Sequence, residues 1–514
     1  MGDNDNDNDN DNDNDNDNDI DAVVVGSGPN GLAAALVLAA AGLRVQVHEA
    51  ADSVGGGVRT RELTLPGYRH DVCSAVHPMA VASLFFRAFD LASQGVRMAW
   101  PEASYAHPLD SGRAAVAWRD LDRTAAGLGP DGSSWSRLLR PLVDRTEPLV
   151  EAAMSDLRGI RPQVMALARL GLRVTEQASP WWNARFRGDL APALLTGVAC
   201  HSIAPPRTLA SAGVGLLLGS LAHSVGWPLP IGGSQAIVDA MVGQLTEHGG
   251  RIVTGHRVRS LDELPPARAV LLDVAPGALL EIAGPRLPER YRRQLRGFRH
   301  GGAACKVDFA LSGPVPWSAP DCAKAGTLHL VGSRAEAVRA ESDVAAGRHA
   351  ERPFVLAVQP GVVDPGRAPA GRHVLWTYAH VPNGSTRDVS EQIKQQVERF
   401  APGFRDLILA EHVVTAAEQG LHNPNYVGGD ISGGATTAWQ LVMRPAARWD
   451  PYRTPLPGVY LCSASTPPGQ AVHGMCGVHA ARRALRDRFG VRSDPLRLVA
   501  EAYGGGTNTA AADR

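Results

Sequence analysis

A chain of 514 residues, 44% hydrophobic and 20% charged, has apolar surface enough for two or more domains, and its balance excludes wholesale disorder and a membrane bundle. The formal net charge of −1 conceals an asymmetry: nine aspartates stand in the Asp-Asn repeat from Asp3 to Asp19, so the remainder carries +8, spread over arginines with no lysine-rich run or interleaved aromatics, and a nucleic-acid footprint is excluded. Six cysteines, at 73, 200, 305, 322, 462 and 476, have no C-x-x-C pair, which argues against a disulfide scaffold and a dithiol redox centre.

The repeat has no apolar residue to bury and repels itself, so a disordered tail is expected. It is the opposite of a basic leader, and a cytoplasmic protein is the expectation. Ile20 to Val25 is an apolar run that stops at glycines, as a strand buried on both faces does. Gly26, Gly28 and Gly31 follow with G-x-G-x-x-G spacing: a tight turn, a close backbone approach to a pyrophosphate, and helix-on-strand packing. Leu32 to Ala41 is a helix closed by Gly42, and its free N-terminal amides suit a diphosphate. Leu43 to His48 is a second strand, ending at Glu49, where a carboxylate accepts from a ribose hydroxyl. Gly55-Gly56-Gly57 and then Arg59 come soon after.

Leu63 to Pro78 crosses toward a second domain through the Pro66-Gly67 turn. From Ala80 to Gly226 helix formers dominate, with amphipathic runs at Leu138–Leu157 and Val164–Val174, and a helical cap is expected. Pro180-Trp181-Trp182 either lines a pocket or packs. No charged residue lies between Arg207 and Asp239; glycines and Pro228-Leu229-Pro230 make Leu209–Ala222 a buried helix beside an apolar cavity, with peripheral membrane contact as the alternative. Gly213 and Gly215 follow no strand, so they open no second nucleotide site. Ser234 is the expected cap of a helix carrying Val238, Met241, Val242 and Leu245, and strands are expected in Arg251–Ser260 and Ala269–Val274.

Cys305–Leu311 alternates as a strand, with Val307, Phe309 and Leu311 on one face and Lys306, Asp308 and Ala310 on the other. A lysine in a closed apolar pocket has its charged form disfavoured and can orient or deprotonate water or substrate; the competing reading pairs it with Asp308. Phe354–Gln359 and His373–His380 suggest an antiparallel sheet, Val389–Phe400 a helix, and Leu421–Gly434 a polar loop. Val459–Cys462 is another buried strand; it feeds a Pro/Gly loop and a helix from about Val472, with His473 near its start.

The acid followed by a glycine pair and a basic residue, with CKVDFALSGPVPW, GGRIVTGHRVRSL, NPNYVGGDISGG and CSASTPPGQAVHGMCG, resembles the flavoprotein superfamily of amine oxidases and phytoene desaturases. The likeness spans Ile20 to Phe489 and is nearest the branch of pyridine nucleotide-disulfide oxidoreductase domain-containing protein 2. It implies an α/β fold: a discontinuous Rossmann-like FAD-binding domain at 20–79, 231–280 and 440–489, a mixed helical and antiparallel-sheet substrate domain at 80–230 and 281–439, and tails at 1–19 and 490–514. It assigns FAD to Gly26, Gly28, Asn30, Gly31, Glu49, Gly55, Gly56, Arg59, Val258 (whose backbone would meet adenine), Ser463, Ala464, Gly474 and Met475, and chemistry to Lys306 and His473, with no metal. Two departures stand out: Gly57 replaces an arginine that many relatives carry, and Ser463-Ala464 replaces Gly-Asp. The expected reaction takes a hydride from a C–H bond of a small, apolar substrate to flavin N5. The alternatives are an amine oxidase using Lys306, and a flavin-containing regulatory or scaffold protein without turnover.

Overall fold

The computed structural model describes residues 20–110, 112–156, 164–179 and 181–505; the Asp-Asn repeat and Pro180 lie outside them. Five short strands form a parallel sheet in the order Val459–Leu461, Ala269–Leu272, Ala22–Val25, Val45–His48, Arg251–Val253. Ala22 faces Ala269 on one side and Val45 on the other, and Gln46 faces Arg251. The central strand is AVVV because both its faces are covered. The helix Pro29–Ala40 is buried from Asn30 to Ala39 and packs between this sheet and the helices Gln235–Glu247 and Met475–Ala484. Its crossing with the last of these needs Gly477, where a Cβ would overlap the Asn30 carbonyl.

A second, seven-stranded sheet has the order Ile408–Val414, Ala303–Leu311, His373–Val381, Val355–Val358, Ala325–Leu330, Ala103–Pro108, Ala114–Trp118, antiparallel except where Ala325–Leu330 meets Ala103–Pro108. Its last two strands correct the expectation of a purely helical cap over 80–226. ASYAHP is buried on both faces, so it shows no alternation, and its alanines and terminal proline carry little strand propensity. The helices Leu190–Ala199 and Leu209–His223 lie over these strands. The second, capped by Thr208, is the expected buried helix, and Gly213 and Gly215 sit inside it. No described helix is long and apolar enough to cross a membrane.

Local corrections have physical causes. The Ser234 hydroxyl does not cap its helix; it donates to the Ser74 carbonyl at 2.7 Å and lies 2.8 Å from His77 Nε2. Only Arg251–Val253 of the run to Ser260 pairs in the sheet, since the chain turns at Gly255. The last part expected as tail contains the helix Pro495–Tyr503: Val499 is buried, and the Tyr503 hydroxyl donates to the Leu36 carbonyl at 2.9 Å. Trp181 is 79% exposed, buried Trp182 stacks under Arg334, and neither lines the main cleft.

Candidate active site

A long cleft opens between the two sheets. On the five-stranded side it is lined by Val25–Asn30, Glu49, Gly56–Arg59, Val258 and Asp273–Ala275, and near the last strand by Ser463–Ser465 and Gln470–Val472. On the seven-stranded side it is lined by apolar groups of Ile203, Val214, Leu218, Trp227, Leu356 and Trp376.

The glycine turn is shaped as its spacing demands. Gly26 has φ +102° and takes the His48 carbonyl on its N–H at 2.7 Å; a Cβ on Gly31 would overlap the Gly26 carbonyl. Gly28 sits at the N-cap with extended backbone, no side chain caps the helix there, and Pro29 follows. Pro29 has no N–H and the Gly31 amide is taken by Asp273, so it is Asn30 in the first turn that lines the cleft, and its buried Oδ1 has no partner among the described residues. A tight glycine turn running into a helix N-terminus, an orphaned polar atom and a strand-end acid are what a dinucleotide requires, so the residues present fit FAD.

Glu49 is 7% exposed and pre-oriented: Oε2 accepts from Ser27 N at 3.0 Å and Ser27 Oγ at 2.5 Å, and Oε1 from Ala51 N at 2.9 Å. Arg59 does not reach across the cleft as a free cation. Its guanidinium donates to the carbonyls of His422 (2.7 Å), Ser53 (2.8 Å) and Val54 (3.3 Å) and to Glu49 (3.4 Å), so it braces the acid and the 422–426 loop. Burial pushes its pKa down, with Glu49 opposing. The glycine at position 57 has a structural reason: a Cβ there would overlap the Tyr426 hydroxyl, which hydrogen-bonds Cys73 in the cleft wall. An arginine at 57 has no room in this chain.

The Ser463-Ala464 replacement is likewise accommodated. Ser463 Oγ accepts from Ser465 N at 3.3 Å, Ser465 Oγ donates to the Gly433 carbonyl at 3.0 Å, and the buried Arg444 donates to the Ala464 carbonyl at 2.9 Å. The following helix starts at Met475, later than expected, because His473 Nδ1 accepts from Met475 N at 3.0 Å and Nε2 lies 3.2 Å from the Gly469 carbonyl. Burial pushes His473 down to about 4, so it is a neutral loop brace with its tautomer set by these two bonds. His473, Gly474 and Met475 do not line the cleft; Gln470, Ala471 and Val472 do. Gly31 and Gly55 shape the wall from behind.

Lys306 also stands off the main cleft. It is 3% exposed, its ammonium pairs with Asp308, and it lines an adjoining cavity with Ser53, Arg59, Arg61, His412 and His422. The ring of Trp376, 5.4 Å from Nζ, and the shared wall residues Arg59 and His422 relate it to the cleft. Burial works to raise Asp308, but Lys306, His412 and His70 hold its carboxyl below the usual range.

Asp273 was not marked by the sequence reading. It lines the cleft, accepts from Gly31 N at 3.0 Å through Oδ2, and is pushed up to about 7 by burial and Glu49 against the Gly31 bond. The legible signal was its position: it ends Ala269–Leu272 as Glu49 ends the strand beside it, and ligands of such sheets sit beyond the carboxyl ends of the strands.

Comparison with known proteins agrees with this geometry. The family model described as flavin containing amine oxidoreductase matches residues 30–485. Pyridine nucleotide-disulfide oxidoreductase domain-containing protein 2 of Rattus norvegicus is 25% identical, over 90% of this chain and 93% of its own. The phytoene dehydrogenase of Streptomyces griseus is 28% identical, over 76% and 77%. Wild-type putrescine oxidase bound to putrescine shares the fold, with a TM-score of 0.57 at 18% identity over 92% of this chain and 99% of that one. The glycine turn, the strand-end acid and the match over most of its length place this chain in the flavin containing amine oxidoreductase family, as an FAD-dependent oxidoreductase.

Proposed function

We propose that the protein removes a hydride from a C–H bond of a small, largely apolar substrate, with the N5 position of bound FAD as acceptor. One observation carries this: the cleft continues from the glycine turn to a wall of Ile203, Val214, Leu218, Trp227, Leu356 and Trp376, and no Asp, Glu, Lys or Arg lines that wall among the described residues. FAD supplies the hydride chemistry. The chain holds the diphosphate with the amides of Gly28 and Asn30, offers Glu49 to a ribose hydroxyl and the Val258 backbone to adenine, and frames the ring with Ser463–Ser465 and Gln470–Val472. The apolar wall excludes water and orients the substrate, which is where most of the rate comes from in such a reaction. The burial of Lys306 against Asp308 favours a structural role for that lysine and weighs against the amine-oxidase alternative.

The test is an anaerobic titration of the purified flavoprotein with polyenes, long-chain alcohols, small polar amines and NAD(P)H, following flavin absorbance. Apolar donors should bleach the flavin fastest. Bleaching by polar amines alone would overturn the proposal, and bleaching by no donor would favour the scaffold alternative.

A further inference from the structure

His201 faces the apolar part of the cleft from the turn Cys200–Ser202. The next residue, Ile203, is held at φ +48° and ψ +47°, a left-handed conformation that a β-branched residue adopts only under constraint, and both side chains line the cleft. Trp227 stands edge-on to the imidazole at 5.3 Å, and its indole N–H is tied to the Leu218 carbonyl at 3.2 Å, so the ring has a fixed neighbour.

Behind His201 runs a row of buried imidazoles. His201 Nε2 lies 2.9 Å from His329 Nε2. His107 Nε2 lies 2.6 Å from the Gly332 carbonyl, which only accepts, so His107 carries its hydrogen on Nε2 and a lone pair on Nδ1. The Nδ1 atoms of His107 and His329 have no partner among the described residues, and they converge on Gly197, where a Cβ would stand 2.5 Å from one and 2.8 Å from the other. Burial keeps the row neutral, pushing His107 down to about 4, His201 to about 3, and His329 well down. A neutral imidazole carries one hydrogen, so of the His201 and His329 Nε2 atoms one donates and the other accepts. With Nε2 engaged by His329, His201 Nδ1 is the ring nitrogen left without a hydrogen-bond partner among the described residues.

We propose that His201 Nδ1 is a fixed hydrogen-bonding atom in the substrate part of the cleft, and that the substrate is an otherwise apolar molecule with one hydroxyl or amine group that binds there. This rests on the assignment of the cleft as the substrate site and adds the polar feature that decides among apolar molecules. Apolar contact alone separates such molecules weakly, whereas a buried polar atom left without its partner discriminates by roughly 10- to 100-fold.

The experiment uses the FAD-loaded protein and a matched pair of probes, a long-chain alcohol and the hydrocarbon of the same skeleton, with binding read from the perturbation of the flavin spectrum and not from turnover. The alcohol should bind roughly 10- to 100-fold more tightly. His201→Phe, compared at equal flavin content, should erase that preference, and His201→Gln, which keeps a hydrogen-bonding group, should restore part of it. Equal affinity of the wild-type protein for both probes overturns the role of His201 even if the variants fail to fold. A preference that survives in His201→Phe overturns it as well. Binding of neither probe would overturn the assignment of the cleft to apolar substrates, together with everything built on it.

Discussion

Asp273→Asn isolates a cost of folding that depends on pH. The Asp273 carboxyl is 7% exposed, accepts from Gly31 N, and is held at about 7 against an ordinary 3.8. Below the ordinary value both the folded and the unfolded chain carry the proton. Between there and pH 7 the folded chain keeps a proton that the unfolded chain has released, so stability falls as pH rises, and above pH 7 the whole cost remains. A displacement from 3.8 to about 7 corresponds to about 4 kcal/mol, and local relaxation and water entry reduce this to about 2 kcal/mol. Asparagine keeps an acceptor for Gly31 N and carries no charge at any pH. Thermal unfolding of the purified protein and the variant should therefore give midpoints that converge near about pH 4 and separate, with the variant higher, by a few degrees by about pH 8. Bound diphosphate, being anionic, would widen the separation. A gap that stays constant across this range, or one that closes as pH rises, would refute the reasoning.

Gly57→Ala should lower FAD content, measured as the ratio of flavin to protein absorbance, because its Cβ overlaps the Tyr426 hydroxyl; adding Tyr426→Phe should recover it. Lys306→Met leaves the Asp308 carboxylate buried without its cation and should destabilise the fold by about 3–5 kcal/mol in thermal or denaturant unfolding, while Lys306→Met with Asp308→Asn should regain most of this. If Lys306→Met instead left stability unchanged and slowed flavin reduction by more than about a hundredfold, the lysine would be catalytic after all. Gly28→Val puts a branched side chain within 3.0 Å of Asp273 Oδ2 at the mouth of the amide cradle, and should weaken FAD binding more than about tenfold by equilibrium dialysis.

The dinucleotide part of this protein was legible in its residues because its elements are local. Ala22–Val25, Gly26 to Gly31 and the strand ending at Glu49 follow one another along the chain, and each glycine answers a steric demand made by a near neighbour. The buried helix Leu209–His223 and the alternating strand around Lys306 were legible for the same reason, as period and composition are local properties. Other features arose where distant segments meet. The strand Ala103–Pro108 is a strand only because Ala325–Leu330 lies beside it. Gly57 is a glycine because a tyrosine 369 positions later fills its space. Lys306 faces an adjoining cavity and Asp308, and His473 serves as a brace, because the direction of a side chain is set by which element packs against it. Asp273 and His201 acquire their properties from Gly31 and His329, and no window along the sequence contains either pair. Backbone conformation is settled by residues a few places apart, whereas desolvation and tautomer are settled by whatever the fold brings within hydrogen-bond reach, and that is why the cofactor cradle could be read early and the chemistry of the cleft could not.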